Sequence, residues 1–418
     1  MWTQTLLGFL CLYGIGFCQG SSGPKQPRGW TADWKSEQVV LGSSSEGCTV
    51  SHVHRYDIAR GRTPVVFSTG AGDDFEQPRI SPMNGTAGEQ WEFDGISEDG
   101  TQAFCFGFYR DPNYAMFGTG NLRLYAEFGF ANGSRYAVVD YAEESIVEVC
   151  PGRGTRGVWR ADGWSYEFEV SADMKRTRIV MDNPEAKGTI VMTSVAPPRY
   201  ADANVWPAED ASSLTVPHFY WVEPVPVADL TIDAVLHGET VAWTGMGGHE
   251  RLWGAFNWYT CLDSMVVVRL RAGPYALSFI DFGSGREKGL HVPSIMLAEG
   301  GKKIFGTRRT EASGTEDYFQ VRNLYGGDGA TTVAIADKVT GVKVVLDSPS
   351  RKKQWKFVVT HKNVAFEYFL GQGVGGTAYS GTLEGGLVGA KKQFTGPAFT
   401  EIMRFPEKSM LLKKNYIE

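Results

Sequence analysis

"LRLYAEFGFANGSRYAVVDY", Leu122 to Tyr141, decides how the rest of the chain is read. Leu122, Leu124, Ala126, Phe128 and Phe130 alternate with Arg123, Tyr125 and Glu127. A period of two places the apolar side chains on one face of an extended strand. Asn132-Gly133 then supplies the dipeptide favoured in tight hairpin turns, and "SRYAVVDY" returns as the second strand. The pattern recurs. "DSMVVVRLR" and "YALSFIDF" flank "AGP" at Ala272 to Pro274, and "KQWKFVVTHKNVAFEYF" is a third strand-like run. Helix-period segments are scarce. The sequence predicts an all-β protein of antiparallel strands with few short helices, built as barrels or sandwiches.

With 418 residues the chain can bury a large core and form two or three domains. The 51 glycines and 13% aromatic residues fit turns and strands. A Pro-, Ala-, Asp- and Ser-rich stretch, Pro197 to Pro217, precedes a second strand-rich half. The expected division is a leader over 1–20, an N-terminal β domain over 21–235 and a C-terminal β-barrel over 236–418. Net charge is -6, from 41 basic and 47 acidic residues without a basic run, so nucleic acid is not an expected partner.

Leu6 to Cys18, "LLGFLCLYGIGFC", is uncharged and apolar, and a small residue follows at Gly20. It reads as a secretory signal, because a membrane-spanning helix needs about 20 residues. No other segment is apolar enough to cross a membrane. Cleavage leaves Cys48, Cys105, Cys150 and Cys261, enough for two disulfides with the connectivity open. Sequons at Asn84 and Asn132 fit glycosylation in that compartment. The expected location is the secretory pathway or outside the cell.

The chain has no phosphate-binding loop of the G-x-x-x-x-G-K-S/T kind and no G-x-S-x-G elbow. "GQGVGG", Gly371 to Gly376, matches a dinucleotide loop by letters, but "TAYSGTLEGG" after it cannot open a helix. His52 and His54 in "HVH" share a strand face as half of a metal site, and no third ligand lies near them in sequence. Neither a metal nor a cofactor is expected.

Two segments concentrate chemistry. In "GEQWEFDGIS", Gly88 to Ser97, Glu89, Trp91 and Phe93 share one face if the segment is a strand. An acid between inward aromatics is desolvated and must be paired or functional. In "GGHERLWGAFNW", Gly247 to Trp258, His249, Arg251 and Trp253 alternate onto one face, with Arg251 placed to pair with a carboxylate from the other half. The plain reading of the first segment is a rim carboxylate bound to an arginine, and that of the second is a domain-interface ion pair with packing tryptophans.

At these segments the chain resembles the fungal Diels–Alderases of the lipocalin-like type, which are distantly similar to carotenoid hydratases. The family block "W-E-L-W-Y-F-D-G-I-S" corresponds to "G-E-Q-W-E-F-D-G-I-S" here, and "G-G-x-x-R-x-W" to Gly247–Trp253. "GPYA" at Gly273 to Ala276 and "QWKF" at Gln354 to Phe357 follow in order, then Gly385, Gly386, Gly396 and Glu401. Gly88 and Gln90 depart from the block, which has Trp and Leu there. The resemblance implies a β-sandwich-like N-terminal domain, a C-terminal lipocalin-like barrel and a pocket between or within them.

The leader, sequons and cysteines look more like the branch that joins a quinone methide to a terpene alkene by an intermolecular hetero-[4+2] reaction. An intramolecular, decalin-forming reaction is the alternative. The implied substrate is an apolar polyketide or terpenoid small molecule. Candidate polarising residues are Glu89, His249, Arg251 and Lys391; candidate walls are Trp91, Tyr125, Tyr220, Trp221, Trp253 and Trp258. A terpenoid hydratase or isomerase would instead need a positioned acid, Asp94 or Glu250, and a secreted carrier of apolar ligands would need none.

Overall fold

The computed structural model describes residues 47–59, 63–84, 87–112, 119–255 and 261–406. The leader, its Cys11 and Cys18, and Trp258 lie outside the described residues. The chain is built from strands. β1 (Thr49–His54), β2 (Val66–Phe67) and β3 (Ile80–Ser81) come first. They are followed by β4 (Gly88–Ser97), β5 (Ala103–Arg110), β6 (Leu122–Gly129) and β7 (Arg135–Tyr141). A second run holds β8 (Glu144–Cys150), β9 (Gly154–Ala161), β10 (Trp164–Ser171), β11 (Arg176–Asn183), β12 (Ala186–Ser194) and β13 (Arg199–Tyr200). Two long strands, β14 (Phe219–Leu236) and β15 (Glu239–Gly254), complete it.

These strands, apart from β2 and β3, form a 13-stranded antiparallel sheet curved into a half-barrel. Its order is β1-β8-β9-β10-β11-β12-β14-β15-β4-β5-β6-β7, with β13 beside β14. Two meanders, β8 to β12 and β4 to β7, are therefore joined by the β14–β15 hairpin. The Leu122–Tyr141 stretch is the β6–β7 hairpin; Gly133 takes the left-handed φ of 81° that its turn requires. Residue 235, where the sequence divides the halves, lies in β14, and β14 and β15 belong to this same sheet. The chain leaves it between Gly254 and Leu262.

The second sheet has nine strands: β16 (Leu262–Ala272), β17 (Tyr275–Ser284), β18 (His291–Glu299), β19 (Lys302–Thr307), β20 (Tyr318–Tyr325), β21 (Val339–Ser348), β22 (Lys353–Gly371), β23 (Val374–Leu387) and β24 (Phe394–Arg404). Two meanders joined by β16–β24 pairing form a nearly closed, lipocalin-like barrel. "GQGVGG" is the β22–β23 turn, with Gly371 paired to Val374.

Each sheet has its own apolar core. Trp91, Phe93, Phe108, Trp159 and Phe168 pack inside the first. Val268, Leu270, Leu277 and Phe357 pack inside the barrel. A third cluster lies between the sheets and draws on both: Ile96, Trp221, Met246 and Leu252 against Met265, Phe366, Ala378 and Phe399. Asn363 of β22 fastens the seam by donating to the carbonyls of Thr101 at 3.0 Å and Phe130 at 2.7 Å.

Of the four cysteines expected in bridges, Cys48 and Cys150 form one disulfide. Cys105 and Cys261 are thiols, which corrects the expectation of two bridges. Cys105 lies on β5 of the first sheet, whereas Cys261 enters the barrel and donates its S–H to the Ala255 carbonyl. Of the sequons, Asn132 sits exposed in the β6–β7 turn, and half-buried Asn84 donates Nδ2 to the Thr63 carbonyl at 2.9 Å. Peptide mapping under denaturing conditions should find the Cys48 and Cys150 peptides joined until reduction, with Cys105 and Cys261 alkylated beforehand.

Candidate active site

β4 and β15 are neighbours, with Glu92 opposite Glu250 and Trp91 opposite Arg251. Alternation gives this pair two faces, and both are buried. One face carries Glu89, Trp91 and Phe93 with His249, Arg251 and Trp253. It points into the first sheet's own core. There Glu89 accepts from the Arg79 backbone N–H at 2.7 Å and from Arg251 Nη2 at 3.2 Å, with Arg110 Nη1 at 3.6 Å. Arg251 spends its other donors on the carbonyls of Gln90, Phe75 and Gln77 and lies 3.8 Å over the Trp91 ring. Burial lowers its pKa to about 10, and the guanidinium stays charged at neutral pH.

His249 stacks on Phe93 at 3.9 Å, with Nδ1 2.8 Å from the Glu92 carbonyl and Nε2 3.0 Å from Glu76. Neither ring nitrogen is left for a substrate. Arg251 therefore does pair with a carboxylate from the other half of the sequence, Glu89, and strand pairing brings both into one sheet. Trp91 and Trp253 are fully buried here, and Tyr220 stacks on Trp253. Lys391 sits exposed after β23, away from this face.

The opposite face turns to the barrel. It carries Gln90, Glu92 and Asp94 of β4 and Glu250 of β15. Register brings Cys105 and Tyr109 of β5 and Arg123, Tyr125 and Glu127 of β6 to the same side. Trp221 joins from β14 and donates Nε1 to Glu250 at 3.0 Å. Tyr109 donates its hydroxyl to Glu92 at 2.8 Å, and Tyr125 donates to Glu127. Glu92, Cys105, Tyr125 and Glu127 are only half-buried, so this is the more open part of the face.

From the barrel, Arg269 of β16 crosses the seam. It donates to Asp94, to Glu223 at 2.8 Å and to the Pro226 carbonyl at 2.5 Å, with Glu250 at 3.9 Å. Arg199 of β13 adds Glu223 at 2.7 Å and the hydroxyls of Ser278 and Ser294. Glu401 of β24 completes the group. Carboxyls are in surplus: Glu92, Asp94, Glu223, Glu250 and Glu401 face Arg123, Arg199 and Arg269. Burial is the main cause raising the pKa of Glu92 and Glu223 and, well above normal, of Glu250; like charges nearby push Glu250 further. Burial and then Glu92 push Glu401 up to about 8. Among the described residues the Glu401 carboxyl has no hydrogen-bond partner. The same desolvation holds the Cys105 thiol and the Tyr125 phenol well above their ordinary values.

A family model described as Diels-Alderase-like matches residues 45–406. The chain belongs to the Diels-Alderase-like family. It is 51% identical over 375 residues to the Diels-Alderase cheD of Chaetomium globosum, covering 90% of this chain and 88% of that one. It is 48% identical over 393 residues to the Diels-Alderase ffsF of Aspergillus flavipes, covering 94% of each. The crystal structure of CghA with Sch210972 shares the fold at a TM-score of 0.74 and 22% identity, covering 86% of this chain and 99% of that one. This protein is thus an enzyme of the [4+2] cyclase class, with small-molecule substrates. Among the described residues no helix is long and apolar enough to cross a membrane.

Most of the residues singled out in the sequence stand on β4, β14 and β15 with their side chains on the sealed face. Trp221 and Tyr125, among the candidate walls, lie on the seam face; Glu89, His249, Arg251, Trp91, Tyr220 and Trp253 do not. The sequence reading missed Arg269 and Glu223 altogether and left Glu92 and Glu401 without a role. A lone acid in an apolar run, as in "YWVEPVPV" or "FTEIMRF", was the signal that could have found Glu223 and Glu401. Since Glu89 serves a sealed ion-pair network, Glu89→Gln should destabilise the fold by roughly 3–5 kcal/mol in urea unfolding. Turnover per folded molecule should stay within a few-fold of wild type.

Proposed function

We propose that this enzyme catalyses a [4+2] cycloaddition on an apolar polyene whose dienophile is conjugated to a carbonyl, with the neutral Glu401 carboxyl donating a hydrogen bond to the carbonyl oxygen. The observation that carries this reading is Glu401 itself: buried, held protonated to about pH 8, and without a hydrogen-bond partner among the described residues. A buried acid of this kind is costly unless a ligand completes it. Withdrawing electron density through the carbonyl lowers the dienophile's acceptor orbital. The bond strengthens as charge shifts toward oxygen in the transition state. Two σ bonds form from π electrons, and no proton or covalent bond passes to the protein.

The apolar seam supplies the rest. Trp221, Phe366, Tyr368, Leu370 and Met403 form its walls. Burying the polyene against them is worth about 25 cal/mol per Å2, and holding diene and dienophile together supplies part of the ~7–11 kcal/mol available to ideal orientation. Intramolecular closure of one polyene is one reading, and the Diels-Alderase names of relatives at 48–51% identity fit it. The intermolecular hetero-[4+2] of a quinone methide with a terpene alkene is the second reading. The apolar leader and the Cys48–Cys150 bridge favour it, and also passage through the secretory pathway.

Product mass separates these reactions. Intramolecular closure conserves the mass of one substrate, the hetero reaction sums two partners, a hydratase adds one water, and a carrier returns its ligand unchanged.

The pH dependence tests Glu401. The single-turnover rate should fall as pH rises through about 8, where the carboxyl ionises and stops donating. Glu401→Gln keeps an N–H donor and should flatten that limb, whereas Glu401→Ala should lose more than tenfold, about 1.4 kcal/mol. Wild-type turnover in Glu401→Ala would remove Glu401 from the chemistry. Stability carries the same sign. The folded state holds a proton that the unfolded chain releases in the ordinary carboxylate range. This contribution is fully present below that range and is lost as pH rises through about 8, so the melting temperature should decline across the interval and decline less in Glu401→Gln.

A further inference from the structure

We propose that His52, His54 and Glu144 bind a divalent transition-metal ion of the Zn2+ type at the edge of the first sheet, clipping β1 to β8. His52 and His54 stand two residues apart on β1 and so share a face, with ring centroids 4.3 Å apart and tilted by 48°. β1 pairs antiparallel with β8, which sets Glu144 directly opposite His54. Glu144 Oε2 lies 2.5 Å from His52 Nε2, and one ligand atom from each of the three residues falls within 4.8 Å of the others. The third ligand that sequence proximity lacked arrives from 92 positions downstream through strand pairing.

The surroundings suit a metal site. Arg160 of β9 donates to Glu144 Oε1 at 2.7 Å, which orients the carboxylate and leaves Oε2 toward the imidazoles. Two imidazoles and one carboxylate match Zn2+, Co2+ or Ni2+ rather than Ca2+ or Mg2+, which take oxygen ligands, or Cu(I), which takes sulfur. Zn–N distances are about 2.0–2.1 Å, so the ligand atoms must draw slightly together around an ion. Exposed side chains on an edge strand can do so, and water fills the remaining positions. The neighbouring group of Cys48, Glu148 and Cys150 cannot compete, because both sulfurs are in the disulfide.

The site has a structural consequence. Among the described residues β1 begins the strand order and is paired on one side only, by β8. The Cys48–Cys150 disulfide fastens its first end, and the ion would fasten its last. Closing that end hinders the fraying and foreign strand pairing to which edges are prone. Glu401 stands on β24 of the barrel and shares no residue with the clip, although the curved sheet brings Ser51 of β1 within hydrogen-bond reach of Arg110 of β5.

Titrating the full chain with Zn2+ by calorimetry, and with Co2+ by absorption, tests the proposal. We expect one ion per chain at micromolar affinity, a Co2+ spectrum without thiolate charge-transfer bands, and a higher melting temperature with Zn2+. His52→Ala/His54→Ala should abolish all three and keep wild-type turnover; Glu144→Gln should weaken binding at least about tenfold. Absence of binding to the wild type, or equal binding to the double variant, overturns the site.

Discussion

A guanidinium buried between two sheets is the constraint on which the rest of this molecule depends. Arg269 stands on the barrel and finds its partners on the half-barrel: Asp94, Glu223 and the Pro226 carbonyl. Removing an ion from water costs several kcal/mol, and the cost is met only if its donors are met. The half-barrel must therefore present two carboxylates and a carbonyl at fixed places, and it must leave room. Gly248 leaves the room. A Cβ there would lie 2.2 Å from Arg269 Nε, so any other residue would push the guanidinium out of its socket. Gly248 of "GGHERLW" is thus read at the seam, whereas Gly247, His249 and Arg251 are read on the other side of the same strand.

The socket also sets the chemistry around it. Carboxyls exceed guanidiniums on the seam face, and desolvation is the leading cause of every upward shift there. The cheapest state is to keep protons on Glu250 and Glu401, and the Cys105 thiol and Tyr125 phenol follow the same rule. Around the Arg269 ion pairs the face carries neutral O–H and S–H groups inside an apolar wall. Such a surface is poor at abstracting protons and well suited to polarising a carbonyl, which is what a cycloaddition requires of its catalyst.

How much of this was legible follows from which patterns are unambiguous. A period of two with Asn-Gly between runs specifies a hairpin, and β6–β7 formed where the sequence put it. The glycine and serine content after "GQGVGG" excluded a helix, and the segment is a strand. The face of β4 was not legible. In Glu89-Gln90-Trp91-Glu92-Phe93-Asp94 each apolar residue is followed by an acid, and both faces are buried, one in a core and one in a seam. Alternation reports the face only when one side is wet. A shift of one residue exchanges Glu89 for Glu92, and sequence alone carries no term that chooses between them.

Partners distant in sequence were illegible for the same reason. Arg269 meets Asp94 across 175 positions and His52 meets Glu144 across 92; neither pairing leaves a local signature. Lys391 shows the opposite error. A cation suggests a carbonyl ligand, but on an exposed loop its charge is already satisfied by water and a hydrogen bond from it gains little. Glu401 is less conspicuous as a letter, yet it is largely buried at the seam and its carboxyl has no hydrogen-bond partner among the described residues. Strength of polarisation follows the environment more than the formal charge. A buried neutral acid can therefore outperform a solvated lysine, and the search for such a site is better directed at lone acids in apolar strands than at cations in loops.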